Sequence, residues 1–276
     1  MPSLYRAYVK DSSARGLMGS AMRRPDPLET ALEAAAEAGA ALLAYLAGPR
    51  EIAEKGRRAD LVTDADRASE AIVLARLRAA YPDATIVAEE SGTHAGTSDE
   101  RWIVDPLDGT TNFAHRYPLF CISIAYERAG ELIAGVVYAP AMDEWFAAER
   151  GAGARLNART IGASNVATLA GAMTCTGFHP ADFERNAACF RAVSQRAQAV
   201  RRDGSAALDL AYVACGRFDG FWEFDLNPWD VAAGTLLVRE AGGTVTRADG
   251  SPASLDARSI LATNGRIHAE LAAALE

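Results

Sequence analysis

The feature that most constrains this chain is the segment 105–113, DPLDGTTNF, which directly follows the apolar run WIV at 102–104. The apolar run predicts a buried strand, and we expect that strand to end near Asp105 because Pro106 cannot donate a ladder hydrogen bond. Asp105 and Asp108 then lie three residues apart at a strand end, with two threonine hydroxyls behind them. Clustered oxygen ligands of this kind suit a hard cation such as Mg²⁺, and ligands commonly bind at the strand ends of open α/β sheets.

An isolated Asp-x-x-Asp-Gly pattern is more often a turn with a capping aspartate than a metal site. Two further acidic patches favour the metal site in this chain. Glu89 and Glu90 follow the predicted strand 85–88, and Asp230 stands at the start of the apolar helix predicted from residue 229. Three acidic strand ends or helix starts in one chain are consistent with a pair of metal ions at one shared site.

These motifs resemble those of the inositol monophosphatases, in the Mg²⁺-dependent, lithium-sensitive sugar-phosphatase superfamily. Residues 105–113 are similar to that family's first signature, residues 229–234 to its second, and residues 89–91 to its pair of metal-binding glutamates. Further similar segments are Lys55 with 60–66, before the second helix, and 204–207 and 221–223, in the substrate region. The resemblance runs in family order from about Pro27 to the C-terminus.

The resemblance implies a Mg²⁺-dependent phosphatase that hydrolyses a small phosphate monoester by metal-activated water, with two or three Mg²⁺ ions per active site. The implied metal ligands are Glu89, Asp105, the Leu107 carbonyl, Asp108 and Asp230. Asp105 is the candidate to bridge two ions, because two metals about 3.5–4 Å apart can serve both the attacking and the leaving oxygen of an in-line displacement. Lys55 is either a solvated charge or part of a loop over a weaker third site.

The resemblance also implies a set of catalytic and substrate-binding residues. The catalytic residues would be Asp66, Thr110 and Glu90, and the substrate-binding residues Gly109, Thr110, Gly204, Ser205, Glu223 and Asp230. Thr110, hydrogen-bonded to Asp66, would orient the attacking water, and Glu90 would orient Glu89. Backbone N–H groups at the start of the helix after the motif would bind phosphate. Glu223 would accept a substrate hydroxyl, or would face solvent on an edge strand. Thr111 and Asn112 stay outside the catalytic set, because both suit simple capping.

The composition fits a folded enzyme in a reducing compartment. The 276 residues suffice for one large domain or two lobes, and half of them are hydrophobic. The net charge of −8 makes a nucleic-acid or membrane partner unexpected, and no apolar run approaches the roughly 18 residues of a membrane span. Four cysteines without a C-x-x-C pair favour a cytoplasmic protein. No Gly-x4-Gly-Lys-Ser/Thr loop indicates nucleoside triphosphate hydrolysis.

The order of elements predicts three segments: an N-terminal extension at 1–26, frayed and rich in basic residues; an α+β lobe at 27–155 with the metal motifs and a largely antiparallel sheet; and an α/β lobe at 156–276 that completes the site. Helices are predicted near 26–48, 64–80, 182–197, 205–215, 229–241 and 265–275. Strands are predicted near 85–88, 102–105, 120–126, 132–138, 144–148, 172–176, 218–224, 243–247 and 259–263. The fold class is therefore mixed α+β and α/β, and the resemblance implies a layered α-β-α-β-α sandwich that forms a homodimer.

The substrate is less constrained by the sequence than the chemistry. Inositol 1-phosphate or a similar polyol phosphate is the first expectation. Histidinol phosphate is the main alternative, because a related branch shares every metal motif, and fructose 1,6-bisphosphate or a nucleotide 3′-phosphate is less favoured. A role of another class stays open as well. A role as a partner of the transcription machinery is suggested for some bacterial relatives, so the alternative of another class is a scaffold for RNA polymerase.

Overall fold

The computed structural model describes residues 25–48, 52–54, 61–178 and 183–276, with only the backbone described at 52–54 and 61–63. Most of the predicted extension at 1–26, together with Lys55, lies outside the described residues. The predictions for these segments therefore stay predictions.

Seven α-helices are present in the described residues. They are α1 (Pro27–Ala47), α2 (Asp64–Ala80), α3 (Thr110–Ala114), α4 (Phe183–Ser194), α5 (Ala206–Ala214), α6 (Pro228–Glu240) and α7 (His268–Ala272). A short 3₁₀ turn covers Leu169–Gly171. The start of α1 follows the expected capping chemistry, because the Asp26 side chain accepts the Glu29 N–H at 3.1 Å and Pro27 occupies the first helical position.

Helix α1 meets the length and composition requirements of a membrane span, and it is the only such helix in the described part of the chain. The same test is passed by core helices of ordinary globular proteins. Leu28, Leu32 and Leu42 of α1 are buried in a cluster shared with α2 and the adjoining sheet. The structure therefore accounts for its apolar surface by packing inside the protein.

The larger sheet has eight strands in the order β10-β9-β8-β7-β6-β5-β3-β4. The strands are β3 (Thr85–Ala88), β4 (Gly92–His94), β5 (Glu100–Asp108), β6 (Cys121–Arg128), β7 (Glu131–Ala139), β8 (Glu144–Glu149), β9 (Gly153–Leu156) and β10 (Arg159–Ile161). All neighbours pair antiparallel except β3 and β5, which are parallel. The predicted, largely antiparallel sheet is confirmed. A separate antiparallel pair is formed by β1 (Ile52–Glu54) and β2 (Leu61–Thr63).

The smaller sheet has five strands in the order β12-β11-β13-β15-β14. They are β11 (Met173–Thr176), β12 (Ala199–Arg201), β13 (Gly220–Phe224), β14 (Thr244–Thr246) and β15 (Ser259–Thr263). Strand β11 is parallel to both of its neighbours, whereas β15 is antiparallel to β13 and β14. This mixed sheet places β13 between two partners.

The two sheets and the helices stack in five layers. Helices α1 and α2 pack together on one face of the larger sheet, and α6 packs on β5 to β8. Helix α5 contacts α6 and reaches β11, β13 and β15, so α5 and α6 fill the space between the sheets. Helices α4 and α7 contact β12 and β15 of the smaller sheet. The α-β-α-β-α sandwich expected from the sequence is confirmed.

One prediction at the central motif was wrong. Strand β5 does not end at Asp105 but continues through Pro106 to Asp108. Asp105 pairs with Ser123 and Asp108 with Cys121, so two residues of β5 stand opposite one residue of β6. This is a β-bulge, which accommodates the missing N–H of proline within the strand. In a regular strand, residues three apart point to opposite faces, so the bulge is what allows both carboxylates to reach one site.

Candidate active site

Strand pairing brings the first two candidate ligands together. Because β3 and β5 are parallel and Ala88 pairs with Val104, the next residues along, Glu89 and Asp105, are neighbours. The Glu89 N–H donates to the Val104 carbonyl at 3.2 Å, and burial and then the nearby Glu89 carboxylate raise the pKa of Asp105. Asp105 is only 2% exposed.

The bulge after Asp105 is held by hydrogen bonds within the motif. The Leu107 N–H donates to Asp105 Oδ1 at 3.0 Å. The Thr110 hydroxyl lies 3.1 Å from the Leu107 carbonyl and 3.0 Å from Asp66 Oδ1. Since a hydroxyl has a single proton, Thr110 donates to one of these two acceptors at a time. The structure thus places Thr110 beside Asp66, as expected, with Asp66 fully buried on α2.

Asp108 accepts hydrogen bonds from the residue before α5 and from the first turn of α5. The Ser205 hydroxyl donates to Asp108 Oδ2 at 2.8 Å, and the Ala207 N–H donates to the same oxygen at 2.7 Å. Ser205 was expected to contact substrate, but its hydroxyl is engaged with a candidate metal ligand. Ala207 was not among the expected site residues. The first backbone N–H groups of a helix have no partner within the helix, and the Ala207 N–H is one of them. The predicted start of this helix could therefore have identified Ala207 as a donor.

Asp230 enters from the start of α6. Its Oδ2 accepts the Asn227 N–H at 2.7 Å in a reciprocal capping arrangement. The negative charges of Asp108 and Glu89 act on Asp230, and the charge of Asp230 acts on Asp105. The four expected carboxylate ligands, from the residue after β3, from β5 and from the start of α6, therefore lie within electrostatic reach of one another.

The electrostatics of this space favour cations. Burial is the largest cause that raises the pKa of Asp105 and of Asp230 well above the usual range, and neighbouring carboxylates raise both further. Burial also raises the pKa of Asp108 to about 6, although the hydrogen bonds from Ser205 and Ala207 oppose that shift. A bound cation would reverse this repulsion. An oxygen-only set of carboxylates and a carbonyl is the donor set that Mg²⁺ prefers, so these residues fit the expected ions.

One face of α2 supports both segments that carry candidate metal ligands, and only Asp66 of this face was expected from the sequence. The Ser69 hydroxyl donates to the Pro106 carbonyl at 2.7 Å, and Glu70 Oε2 accepts the Glu90 N–H at 2.9 Å. Ser69 and Glu70 are both buried. Polar residues at spacings of three and four from Asp66 share its face of the helix, and that spacing is the signal that could have identified them.

The expected substrate segment is tied to the central motif by Asn112. The Asn112 Nδ2 lies 2.6 Å from the Leu119 carbonyl and 2.7 Å from the Asp203 carbonyl. Gly204 has a positive φ of 83°, and a Cβ there would stand 3.3 Å from Asn112 Nδ2. Gly109 also has a positive φ, of 92°, and a Cβ there would stand 2.9 Å from the Leu119 carbonyl. Asn112 is therefore a bridge between two site loops rather than a simple cap.

Glu223 lies on the smaller sheet. Strand β13 pairs with both β11 and β15, so the interpretation of Glu223 as an edge-strand carboxylate is wrong. Its side chain covers Gly177, where any Cβ would overlap with the carboxylate. Burial raises the pKa of Glu223 well above its usual range, and Asp230 and Asp108 raise it further. Glu223 is thus within electrostatic reach of the carboxylate cluster.

The chain is similar to characterised proteins over almost its whole length. A sequence profile of the inositol monophosphatase family matches residues 25–276. An inositol-1-monophosphatase of Synechocystis sp. is 48% identical over 253 residues, which cover 90% of this chain and 88% of that protein. A Nus factor SuhB of Salmonella typhimurium is 44% identical over 247 residues, covering 87% and 92%.

Solved structures agree with the fold. The extragenic suppressor protein suhB of Bartonella henselae superposes with a TM-score of 0.86 at 42% identity and covers 90% of this chain and 97% of its own. An inositol monophosphatase of Anabaena superposes with a TM-score of 0.79 at 44% identity, covering 90% and 94%.

Proposed function

Because the chain belongs to the inositol monophosphatase family, we propose that it is a Mg²⁺-dependent phosphoric monoester hydrolase whose substrate is inositol 1-phosphate or a similar polyol phosphate. The observation that best supports this proposal is the convergence of Glu89, Asp105, Asp108 and Asp230 on one partly buried space. Relatives at 47–48% identity carry the name inositol-1-monophosphatase.

The chain offers ligands for two Mg²⁺ ions, and for a third held more weakly. Glu89, Asp105 and the Leu107 carbonyl would hold one ion, and Asp105, Asp108 and Asp230 the other. When bound, such ions polarise phosphoryl oxygens and make a bound water more acidic. Glu90 would keep Glu89 in place, since its own N–H is anchored to Glu70 Oε2.

The pair Thr110 and Asp66 is suited to hold the attacking water. If the Thr110 hydroxyl donates its proton to Asp66 Oδ1, its lone pairs remain available to accept a hydrogen bond from that water. Asp66 is buried and held on α2, so it keeps the hydroxyl in one orientation. This positions the water with no need for the threonine to ionise.

The substrate would lie between the loops that the two sheets contribute to the site. Backbone N–H groups at Gly109 and Thr110 would bind the phosphate. Gly204 and Ser205 would line the alcohol side through their backbone, because the Ser205 hydroxyl is engaged with Asp108. Glu223 would accept a hydroxyl of the alcohol. A protein with buried polar groups aimed at hydroxyls discriminates strongly against substrates that lack them.

The decisive experiment measures phosphate release from inositol 1-phosphate, histidinol phosphate, fructose 1,6-bisphosphate and a nucleotide 3′-phosphate. We expect the polyol phosphate to give the highest kcat/KM, and chelation by EDTA to abolish turnover of every substrate. The Asp105→Asn variant is the control for contaminating phosphatases. Full activity after prolonged incubation in excess EDTA would refute metal dependence, and a preference for histidinol phosphate would replace the proposed substrate.

The resemblance to lithium-sensitive enzymes leads to one further expectation. Li⁺ would occupy the Asp108 and Asp230 side of the site after the alcohol leaves, so inhibition should be uncompetitive with substrate. Insensitivity to tens of millimolar Li⁺ would refute the expected lithium inhibition but would not contradict the proposed phosphatase activity.

A second candidate function is favoured by the relatives named Nus factor SuhB, at 44% and 46% identity. The chain would then act as a cytoplasmic partner of RNA polymerase, as a homodimer. A pull-down with purified polymerase tests this role, and the Asp105→Asn variant separates it from catalysis. Size-exclusion chromatography with light scattering tests the proposed homodimer.

A further inference from the structure

A second cluster of potential metal ligands lies outside the carboxylate site. It consists of Cys175, Asp203 and Asp209, whose sulfur and carboxylate oxygens all lie within 4.8 Å of one another. Cys175 and Asp209 are buried, and Asp203 is half-buried. A ligand could therefore reach the cluster from solvent along Asp203.

Chain topology explains why these three residues meet. Cys175 is on β11 and pairs with Arg201, near the end of the neighbouring strand β12. The chain leaves β12, passes through Asp203 and begins α5 at Ala206, which puts Asp209 in the first turn of that helix. Helix α5 packs on β11, so both aspartates face Cys175.

The cluster contains an unpaired acceptor deep inside the protein. Asp209 is only 1% exposed, and its Oδ1 has no hydrogen-bond partner. Burial raises the pKa of the Asp209 carboxyl most, hydrogen bonding with the Cys175 thiol opposes that shift, and the charges of Asp203, Glu223 and Asp108 raise the pKa further. Burial also raises the pKa of the Cys175 thiol. Buried acceptors are normally paired, and buried charges usually have a counter-ion or a metal.

We propose that Cys175, Asp203 and Asp209 form a second cation site, which binds a borderline divalent metal such as Zn²⁺. One thiolate and two carboxylates give three protein ligands, and a water would complete the tetrahedral coordination that Zn²⁺ adopts. The sulfur distinguishes this site from the active site, because Mg²⁺ takes oxygen ligands. Binding displaces the protons of the thiol and of the carboxyl groups, so affinity rises with pH.

The position of this site gives it a direct connection to the active site. Asp203 and Asp209 flank the segment in which Ser205 and Ala207 hold Asp108 through hydrogen bonds of 2.8 and 2.7 Å. A metal bound to both aspartates would close this segment into a ring. The site would therefore stabilise the segment that supports Asp108 while contributing no ligand to the catalytic ions.

The test uses Co²⁺ as a spectroscopic probe for Zn²⁺, added to the full chain in excess Mg²⁺ and a reductant without thiols. A thiolate ligand to Co²⁺ produces a charge-transfer band in the near ultraviolet, and oxygen ligands do not. We expect a band that saturates at one ion per chain and is displaced by Zn²⁺. Cys175→Ser should abolish the band, whereas Cys121→Ser, Cys189→Ser and Cys215→Ser should retain it.

Asp209→Asn provides a second variant that keeps every cysteine, with the exposed Asp256→Asn as its control. It should weaken Co²⁺ binding by at least about tenfold, as losses of even outer-shell partners commonly do. Circular dichroism establishes that each variant is folded. The proposal is overturned if wild-type protein gives no band, if the band survives in folded Cys175→Ser, or if Cys121→Ser removes it. Because the readout is absorption, failure of the phosphatase assays would not affect it.

Discussion

The two sides of the carboxylate site are built by different means. On the larger sheet, Glu89 and Asp105 are adjacent because β3 and β5 pair in parallel, and the bulge at Pro106 brings in Asp108. On the other side, Asp230 stands at the start of α6, in the helical layer between the two sheets, and is held through the Asn227 N–H. Strand pairing is enforced by many residues at once, whereas the helix-start ligand depends on a few local hydrogen bonds.

The residues on the two sides are therefore expected to contribute to the site in different ways. In the proposed function, residues of the larger sheet would create the site that any phosphate ester needs. Residues of helix starts and of the smaller sheet would adjust how tightly metal and substrate are held. If this comparison is correct, substitutions on the two sides should differ in kind, with turnover lost on one side and concentration requirements raised on the other.

The largest effect is expected for Asp105→Asn, which should lower kcat by more than about 100-fold, beyond the 10–100-fold typical of residues that only orient ligands. Asp105 is buried and lies among Glu89, Asp108 and Asp230, so its charge serves the whole cluster. Steady-state phosphate release at saturating Mg²⁺ measures the loss, and thermal unfolding checks that the variant is folded. Wild-type turnover at ordinary Mg²⁺ would refute the two-ion assignment.

Asp230→Asn should act mainly on the metal requirement. The half-saturating Mg²⁺ concentration should rise by about 10- to 100-fold, with a smaller loss of kcat at saturation, because the ligands on β3 and β5 remain. The Mg²⁺ dependence of turnover gives both quantities, and the exposed Asp249→Asn serves as a matched control. A loss as deep as that of Asp105→Asn, with no recovery at high Mg²⁺, would show that the two sides do not differ.

Glu223→Gln should raise KM for a hydroxyl-rich substrate by about tenfold, which corresponds to a buried hydrogen bond to a charged group of about 1.5 kcal/mol. KM for a simple aryl phosphate should change much less, because that substrate offers no hydroxyl to Glu223. Since the proposed metal ions would bind the phosphate of both substrates, kcat should change little. Equal losses on both substrates would assign Glu223 to the metal site or to the fold.

Much of the fold could be predicted from local sequence signals. The helix α1 begins at an Asp-Pro cap, and strands such as β6 and β7 are marked by apolar runs around a turn. The short strands β4, β9, β10 and β12 were not predicted. Each has three or four residues, too few for a periodic pattern, and each exists because a neighbouring strand offers a partner.

The candidate ligands could be named from the motifs, but the contacts that place them could not. A proline usually indicates the end of a strand, so the prediction that β5 ends near Asp105 was wrong. A β-bulge accommodates Pro106 within the strand. The contacts of Glu70 and Asn112 join residues 20 and 91 positions apart along the chain. Nothing local to either residue specifies such a partner, which only the packing of layers brings close.

Glu70→Gln tests this indirect support on the side of the larger sheet. Glutamine keeps an acceptor for the Glu90 N–H but loses the charge, which weakens that hydrogen bond by about 1 kcal/mol, or roughly fivefold in an equilibrium constant. The half-saturating Mg²⁺ concentration should rise by that factor with kcat nearly unchanged. Glu37→Gln, on α1, is the control. If Glu70→Gln lowers thermal stability and leaves the Mg²⁺ requirement unchanged, its role is purely structural.

The smallest effect is expected far from the carboxylates, at His268 on α7. Its ring nitrogens lie 2.9 Å from Thr263 Oγ1 and 3.0 Å from Thr246 Oγ1, joining α7 to β15 and β14. Burial lowers the pKa of His268 below its usual value of 6.5. A histidine kept neutral by folding contributes stability that is present above the unfolded pKa and is lost as pH falls through the folded pKa.

Wild-type protein should therefore lose stability relative to His268→Gln as pH falls below about 6.5, the ordinary histidine pKa. Denaturant unfolding of both proteins across this range, in EDTA so that metal binding does not contribute, measures the difference. Turnover near neutral pH should be equal in the two proteins, because His268 joins α7 to the smaller sheet and contacts no site residue among those described. A change in the Mg²⁺ requirement of His268→Gln would show that packing in the smaller sheet affects the position of Asp230. The two sides of the site would then not be independent of each other.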